Sequence, residues 1–338
     1  MSQHRASILL RKQGELEVGT RTTPIPQGNQ ALVKVTAAAI NPADWKILDS
    51  GIFIEKFPTV LGCDGAGIIE AIGPQVTDFK IGDKVFFQGL YGHVDQTTFQ
   101  EKSIVETDII SKIPDNITED QASTIPAAAL TAWIGLFQST GIDIPVNGPT
   151  VGGKGILILG GSSSVGQFVI QLARNAGLSP IVTTASAQHN GFLKSLGATY
   201  VYDRNVDAKT IQSAFVTPVS FAFDAISVAS TQELAYEVLT TPSPVPGARL
   251  ALVQATADSI KKKNADNKVT VHNVYGSSHR FRDLSMPFWQ NVGRWINDNK
   301  FVPNRIQVVE GGLAAVPEAL GLSRKSVSGV KLVIHPQE

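Results

Sequence analysis

The sequence predicts an α/β protein of two domains, one β-rich and one a doubly wound parallel sheet. Three observations carry that expectation. The chain has 338 residues, more than one ordinary hydrophobic core accommodates. Apolar residues make up 43% and charged residues 17%, a balance that suits packed cores rather than a disordered chain. From about residue 120, short β-branched runs alternate with amphipathic segments, the pattern of a sheet covered by helices on both faces.

Along the chain, ALVKVTAAAI (31–40), GAGIIEAIG (65–73) and DKVFFQG (83–89) read as strands punctuated by Gly and Pro. The stretch EDQASTIPAAALTAWIGLFQSTG is rich in Ala and Leu and predicts one or two helices broken near Pro126. ILILGG (156–161) is a buried strand. After it, Val165, Phe168, Val169, Leu172, Ala173 and Ala176 recur at helical spacing, and Gly177 closes the helix. SPIVTTAS (179–186), TYVYD (199–203), VSFAFDAI (219–226), ARLALVQA (248–255) and VTVHNVYG (269–276) complete roughly six strands, with short helices in NGFLKSLGA and DAKTIQSAF. PFWQNVGRWINDNK and LAAVPEALGLSRK are further helix candidates before a terminal strand, VKLVI.

Bulk properties exclude several classes of partner. Lys+Arg and Asp+Glu both number 29, so no global field recruits nucleic acid or an anionic membrane. No apolar run reaches the roughly 18 residues of a membrane span, and the N-terminal apolar stretch is too short for a secretory signal. Cys63 is the lone cysteine, so neither an internal disulfide nor a Cys-rich zinc site can form. The expectation is a cytoplasmic, soluble protein, a monomer or a homodimer paired through VTVHNVYG as an edge strand.

The segment GGSSSVG (160–166) joins the first strand of the alternating region to its helix. Such a corner holds a phosphate, makes a tight structural turn or exposes a nucleophilic serine. Gly161, Ser163 and Gly166 keep the spacing of the dinucleotide fingerprint G-x-G-x-x-G, with Ser in the middle slot. Gly161 would tighten the turn and Gly166 allow close helix–strand packing. Ser162 and the amides of Ser163, Ser164 and Val165 would face a diphosphate at the positive end of the helix. A nearby P-loop-like run, GPTVGGKG (148–155), ends in Gly155 rather than Ser or Thr and precedes its strand, so it cannot cradle phosphate that way. No serine here satisfies G-x-S-x-G. The second strand ends TTAS (183–186) without the acid that binds the ribose hydroxyls of NAD. That favours NADP(H), with Ser186, Gln188, His189 and Arg204 as candidate ligands of its 2′-phosphate.

These motifs occur in a telling order: INPADWK (40–46), LGCDGAGIIEAIG (61–73), FKIGDKVFF (79–87), IPAAALTAW (125–133), GGSSSVG and VSGVKLVI (327–334). In that order they resemble the medium-chain dehydrogenase/reductase superfamily across essentially the whole chain. They are most similar to its zinc-free NADPH-dependent branch: quinone reductases, alkenal double-bond reductases and fungal trans-acting enoyl reductases. The resemblance implies a GroES-like catalytic domain at 1–124 and 277–338, and a Rossmann NADP(H)-binding domain at 125–276. It places Lys46 and Thr131 beside the nicotinamide ribose and makes them the catalytic candidates. It implies further cofactor contacts at Asn41, Ala43, Asp44, Trp45, Leu252, Val253, Ser328 and Gly329. Where the zinc alcohol dehydrogenases of that superfamily carry Cys and His-Glu, this chain has Asn41 and Cys63-Asp64, so no metal is expected.

The reaction expected from the resemblance is hydride transfer from NADPH to the β-carbon of an apolar enone, enal or enoyl thioester, or to a quinone. Charge that develops on the carbonyl oxygen then needs hydrogen-bond donors, and Tyr91 and His93 are possible sources of the α-proton. Two other readings stay open at this level: an NADPH-binding structural or regulatory protein on the same fold, and a carbonyl/alcohol oxidoreductase.

Overall fold

The computed structural model describes residues 2–138 and 140–338. They form two compact units, residues 1–127 with 278–338, and residues 128–277.

The first unit is built on mostly antiparallel sheet. Strands β1 (Gln3–Leu9), β2 (Leu16–Thr22) and β4 (Thr59–Val60) make a small sheet in the order β2-β1-β4. The larger sheet runs β15 (Ile306–Val308), β16 (Lys331–Ile334), β3 (Gln30–Ala39), β5 (Asp64–Ile72), β6 (Lys84–Gln88), β8 (Ile110–Lys112), with β7 (Lys102–Glu106) also pairing β3. Period-2 alternation puts Ala31, Val33 and Val35 of β3 into the core with Ile69, Val85 and Leu332. Helices α1 (Pro42–Ser50), α2 (Glu119–Ser123), α9 (Arg282–Asn297) and α10 (Val316–Arg324) pack around these strands.

The second unit is the parallel sheet that the alternation predicts. Its strands are β9 (Ile156–Leu159), β10 (Ile181–Thr184), β11 (Tyr200–Tyr202), β12 (Phe221–Asp224), β13 (Arg249–Leu252) and β14 (Thr270–Asn273). They lie in the order β11-β10-β9-β12-β13-β14, every pair parallel. The order reverses at β9, and ligands of such sheets bind at the carboxyl ends beside that reversal. Helices α4 (Ser164–Ala176), α5 (Asn190–Leu196), α6 (Ala208–Gln212), α7 (Ala229–Thr240) and α8 (Asp258–Lys263) connect the strands. Helix α3 (Pro126–Phe137) crosses the division between units.

One boundary departs from expectation. The helix read as starting at Pro287 begins at Arg282, with Pro287 inside it. A proline normally stops a helix because its ring clashes with the preceding turn. Here the extra turn is anchored at its start, where Arg282 is paired with Asp108 at 2.7 Å and with Glu106. No helix among the described residues is long and apolar enough to cross a membrane.

Candidate active site

The glycine-serine corner lies at the end of β9. Gly160 is its left-handed residue, φ +77°, so the tight turn falls on Gly160 rather than on Gly161. Gly161 is constrained differently: a Cβ there would stand 2.2 Å from Thr183 Oγ1. At Gly166 a Cβ would stand 2.3 Å from the Gly160 carbonyl oxygen, a backbone atom that cannot move aside, so strand and helix meet as closely as the fingerprint requires. Ser163 is the N-cap of α4, its hydroxyl accepting from the Gly166 amide at 3.0 Å.

Of the three amides expected to face a diphosphate, that of Ser163 is already used, donating to the Gly160 carbonyl at 3.0 Å. That bond closes the turn. Ser164 and Val165 hold the first two helical positions, where an amide has no intrahelical acceptor, so they carry the anion-binding capacity of this end. Ser162 uses its carbonyl oxygen to accept from Gln167 Nε2.

The neighbouring strand ends supply the rest of this unit's candidates. Ser186 caps the short turn after β10 and Arg204 is exposed in the turn after β11, each at a carboxyl end of the sheet. His189 differs: it is 5% exposed, and burial of the imidazole leaves little of it to present to a phosphate. Leu252 has its side chain fully buried, and the Val253 amide donates to Ser227 Oγ at 2.9 Å. Thr131, on α3, packs so tightly on Gly276 that a Cβ there would fall 2.1 Å from its hydroxyl oxygen.

In the first unit, the expected contacts of INPADWK lie on and just before α1. The helix starts after Asn41, and Asp44 bonds back to the Asn41 amide at 2.7 Å. Asp44 also accepts from the Gly62 amide at 3.2 Å and from the Tyr91 hydroxyl at 2.6 Å. It is 0% exposed, so its carboxylate is turned into the unit, away from the position a cofactor contact would need. Burial pushes its pKa up to about 7, against the pull of the Tyr91 and Asn41 hydrogen bonds and helped by the charge of Asp64. Pro42 and Ala43 are exposed, Trp45 and Lys46 half-buried. The Lys46 ammonium stands 5.6 Å from the centre of the Trp45 ring, and partial burial lowers its pKa. Ser328 is exposed and Gly329 buried, in the turn that leads into β16.

Beneath α1 lies a buried polar set that the sequence did not announce. The Lys331 ammonium is 3.0 Å from Asp64 Oδ2 and donates to Asn41 Oδ1 at 2.6 Å. The Asn41 amide donates to Asp64 at 2.8 Å and reaches Cys63 Sγ at 3.6 Å. Asp64 also accepts from the Ala127 amide at 2.6 Å. Burial and the carboxylates of Asp64 and Asp44 push the Cys63 thiol well up, so it keeps its proton. The available signal was a lysine inside the apolar run VKLVI, since a charge in a buried strand needs a partner.

Comparison with known proteins adds the following. Residues 27–115 match the alcohol dehydrogenase GroES-like domain family, and residues 164–289 the zinc-binding dehydrogenase family. A trans-enoyl reductase of Aspergillus flavipes is 32% identical over 365 residues, covering 98% of this chain and 99% of its own. Among solved structures, one from Rhizobium etli CFN 42, named for a zinc-dependent alcohol dehydrogenase, superposes with a TM-score of 0.83 at 26% identity, over 99% of this chain and 98% of its own. The quinone oxidoreductase of Coxiella burnetii shares the fold, with a TM-score of 0.76 at 24% identity over 98% of this chain and 99% of its own.

Proposed function

The chain belongs to the medium-chain dehydrogenase/reductase superfamily of oxidoreductases, and from that premise we propose that it is a zinc-free, NADPH-dependent reductase of an activated C=C or a quinone. The observation that carries the reading is the buried set at Asn41, Cys63 and Asp64. Zinc needs lone pairs from three or four converging ligands. Asn41 instead points amide hydrogens at Cys63 and Asp64, and the charge of Asp64 is balanced by Lys331. These residues do not fit zinc, although the second family match is named for that metal. The similarity to a trans-enoyl reductase over nearly the whole of both chains supports the same direction.

A nicotinamide dinucleotide fits the chain better. The corner after β9 leaves no room for a Cβ and leaves the amides of Ser164 and Val165 for a diphosphate. The strand β10 ends without an acid that would repel a 2′-phosphate, while Ser186 and Arg204 offer it a hydroxyl and a cation. Bound there, the reduced nicotinamide would supply the hydride. Lys46 and Thr131 are the proposed donors that orient its ribose and steady the negative charge that appears on the substrate's carbonyl oxygen. The rest of the rate enhancement comes from holding the two reactants together without water.

The test is oxidation of NADPH, and of NADH in parallel, against a panel of enals, quinones and enoyl thioesters. Turnover with NADPH and at least one of these acceptors is expected. Tight NADPH binding with no turnover on any acceptor, or turnover confined to alcohols with added zinc, would overturn the reading.

A further inference from the structure

Arg249 opens β13 and Thr270 opens β14, toward the amino ends of strands whose carboxyl ends carry the cofactor candidates. Arg249 is paired with Thr270 and with Phe221 of β12, and Ala251 with His272. Alternation along each strand puts these side chains on one face of the sheet. Helix α3 covers that face, where a Cβ on Gly135 would run into the Phe223 ring. The helix ends at Phe137. Beside that end a cavity of about 250 Å³ opens onto the sheet, and Gln138, Arg249, Thr270 and His272 are its polar lining.

These polar groups are donors in want of an acceptor. Among the described residues the Arg249 guanidinium makes no ion pair or hydrogen bond, and no Asp or Glu lines the cavity. A cation taken half out of water without a counter-charge is costly. His272 is half-buried on the neighbouring strand, and Arg249 is the ionisable group that faces it. Burial and the Arg249 charge both lower the His272 pKa, so at neutral pH its imidazole is uncharged and offers one N–H. The buried Gln138 Oε1 accepts no hydrogen bond among the described residues. Turned end for end, that carboxamide presents N–H donors in its place.

We propose that this cavity binds a phosphate group, free or carried on a small ester, with Arg249 as its charged anchor and His272, Gln138 and Thr270 as neutral donors around it. The guanidinium fork matches two phosphate oxygens at once. A carboxylate would be used up by that fork alone, whereas a tetrahedral anion keeps further oxygens for donors that arrive from β14 and from the end of α3. The volume is several times the roughly 30 Å³ that one water occupies in the liquid, so the phosphate and a short carbon chain both fit. The site is distinct from the corner after β9, lies wholly within the second unit, and does not rest on the reductase reading.

The experiment titrates the intact protein with inorganic phosphate and, separately, with glycerol 3-phosphate, by calorimetry in chloride at constant ionic strength. Saturable binding is expected, tighter for glycerol 3-phosphate where the site is built for an ester and tighter for inorganic phosphate where it is built for the free ion. Arg249→Gln should weaken that binding about tenfold or more, while Arg204→Gln, in the turn assigned to the cofactor's 2′-phosphate, should leave it unchanged. The His272 imidazole, followed by NMR in the wild type and identified by its loss in His272→Gln, gives a reading that needs no Arg249 variant to fold. Its titration should move to higher pH when phosphate is added, because a bound anion favours the imidazolium. The absence of saturable binding, equal affinity in folded Arg249→Gln, loss of binding in Arg204→Gln instead, or a His272 titration that phosphate does not move would each overturn the site.

Discussion

Lys331 shows how much one side chain can carry. Its ammonium is 4% exposed and pairs with an Asp64 that is 0% exposed, so removing it strands a buried charge. Breaking such a pair costs about 3–5 kcal/mol, whereas removing both partners costs far less. Lys331→Met should therefore lose roughly that much stability in chemical denaturation, and the double variant with Asp64→Asn should recover a large part; equal losses in both would refute the pairing argument. Asp44 gives a pH signature of the opposite kind. Its folded carboxyl titrates near 7 against an ordinary 3.8, so between about pH 4 and 7 the folded state holds a proton that the unfolded chain has lost. The contribution of this group falls as pH climbs through that window and is constant above it. Denaturation across the window should show a shallower decline for Asp44→Asn than for the wild type. On the ligand side, Lys46→Ala should reduce kcat/KM at least tenfold, about 1.4 kcal/mol of transition-state stabilisation, with the thermal midpoint unchanged; unaltered kinetics would remove Lys46 from the site.

At the scale of elements, the corner between β9 and α4 is the proposed cofactor end of the second unit. Ser163→Ala removes the cap on the Gly166 amide and should cost about 1 kcal/mol. Gly166→Ala should be worse and should also abolish NADPH binding by equilibrium fluorescence, because its Cβ meets the backbone oxygen of Gly160; a Gly166→Ala protein that binds NADPH normally would contradict the packing argument. This corner was legible in the sequence because its constraints are local: glycines, a capping serine and a following period of 3.6. The assignment of each glycine was not, since the left-handed turn sits on Gly160 and the crowding at Gly161 comes from Thr183 on another strand. Helix α9 was read short for a similar reason. Pro287 is a local stop signal, and the pairing of Arg282 with Asp108 and Glu106 that extends the helix past it is a contact made across more than 170 residues of sequence.

At the scale of the whole molecule, alternation of strands and helices made the parallel sheet of the second unit readable in advance. From its own residue pattern the first unit was readable only as β-rich, because its pairings join distant segments such as β3 with β16; its GroES-like form came from the family resemblance. The buried set of Asn41, Cys63, Asp64, Tyr91 and Lys331 was not legible as a set for the same reason: its members come from four stretches of chain. Cofactor choice is a property of the whole protein and can be measured on it. NADPH should raise the thermal midpoint well above the shift given by NADH at equal concentration, and equal shifts would refute the roles given to Ser186 and Arg204. The central claim, hydride transfer from NADPH to an activated double bond, is tested most directly by isotope. The protein is incubated with NADPH deuterated at the transferable position of C4 and a trans-enoyl thioester, and the product is analysed by mass spectrometry and NMR. Deuterium on the β-carbon of a saturated thioester is the expected result; deuterium on the carbonyl carbon, or an unsaturated substrate recovered unchanged, would contradict it.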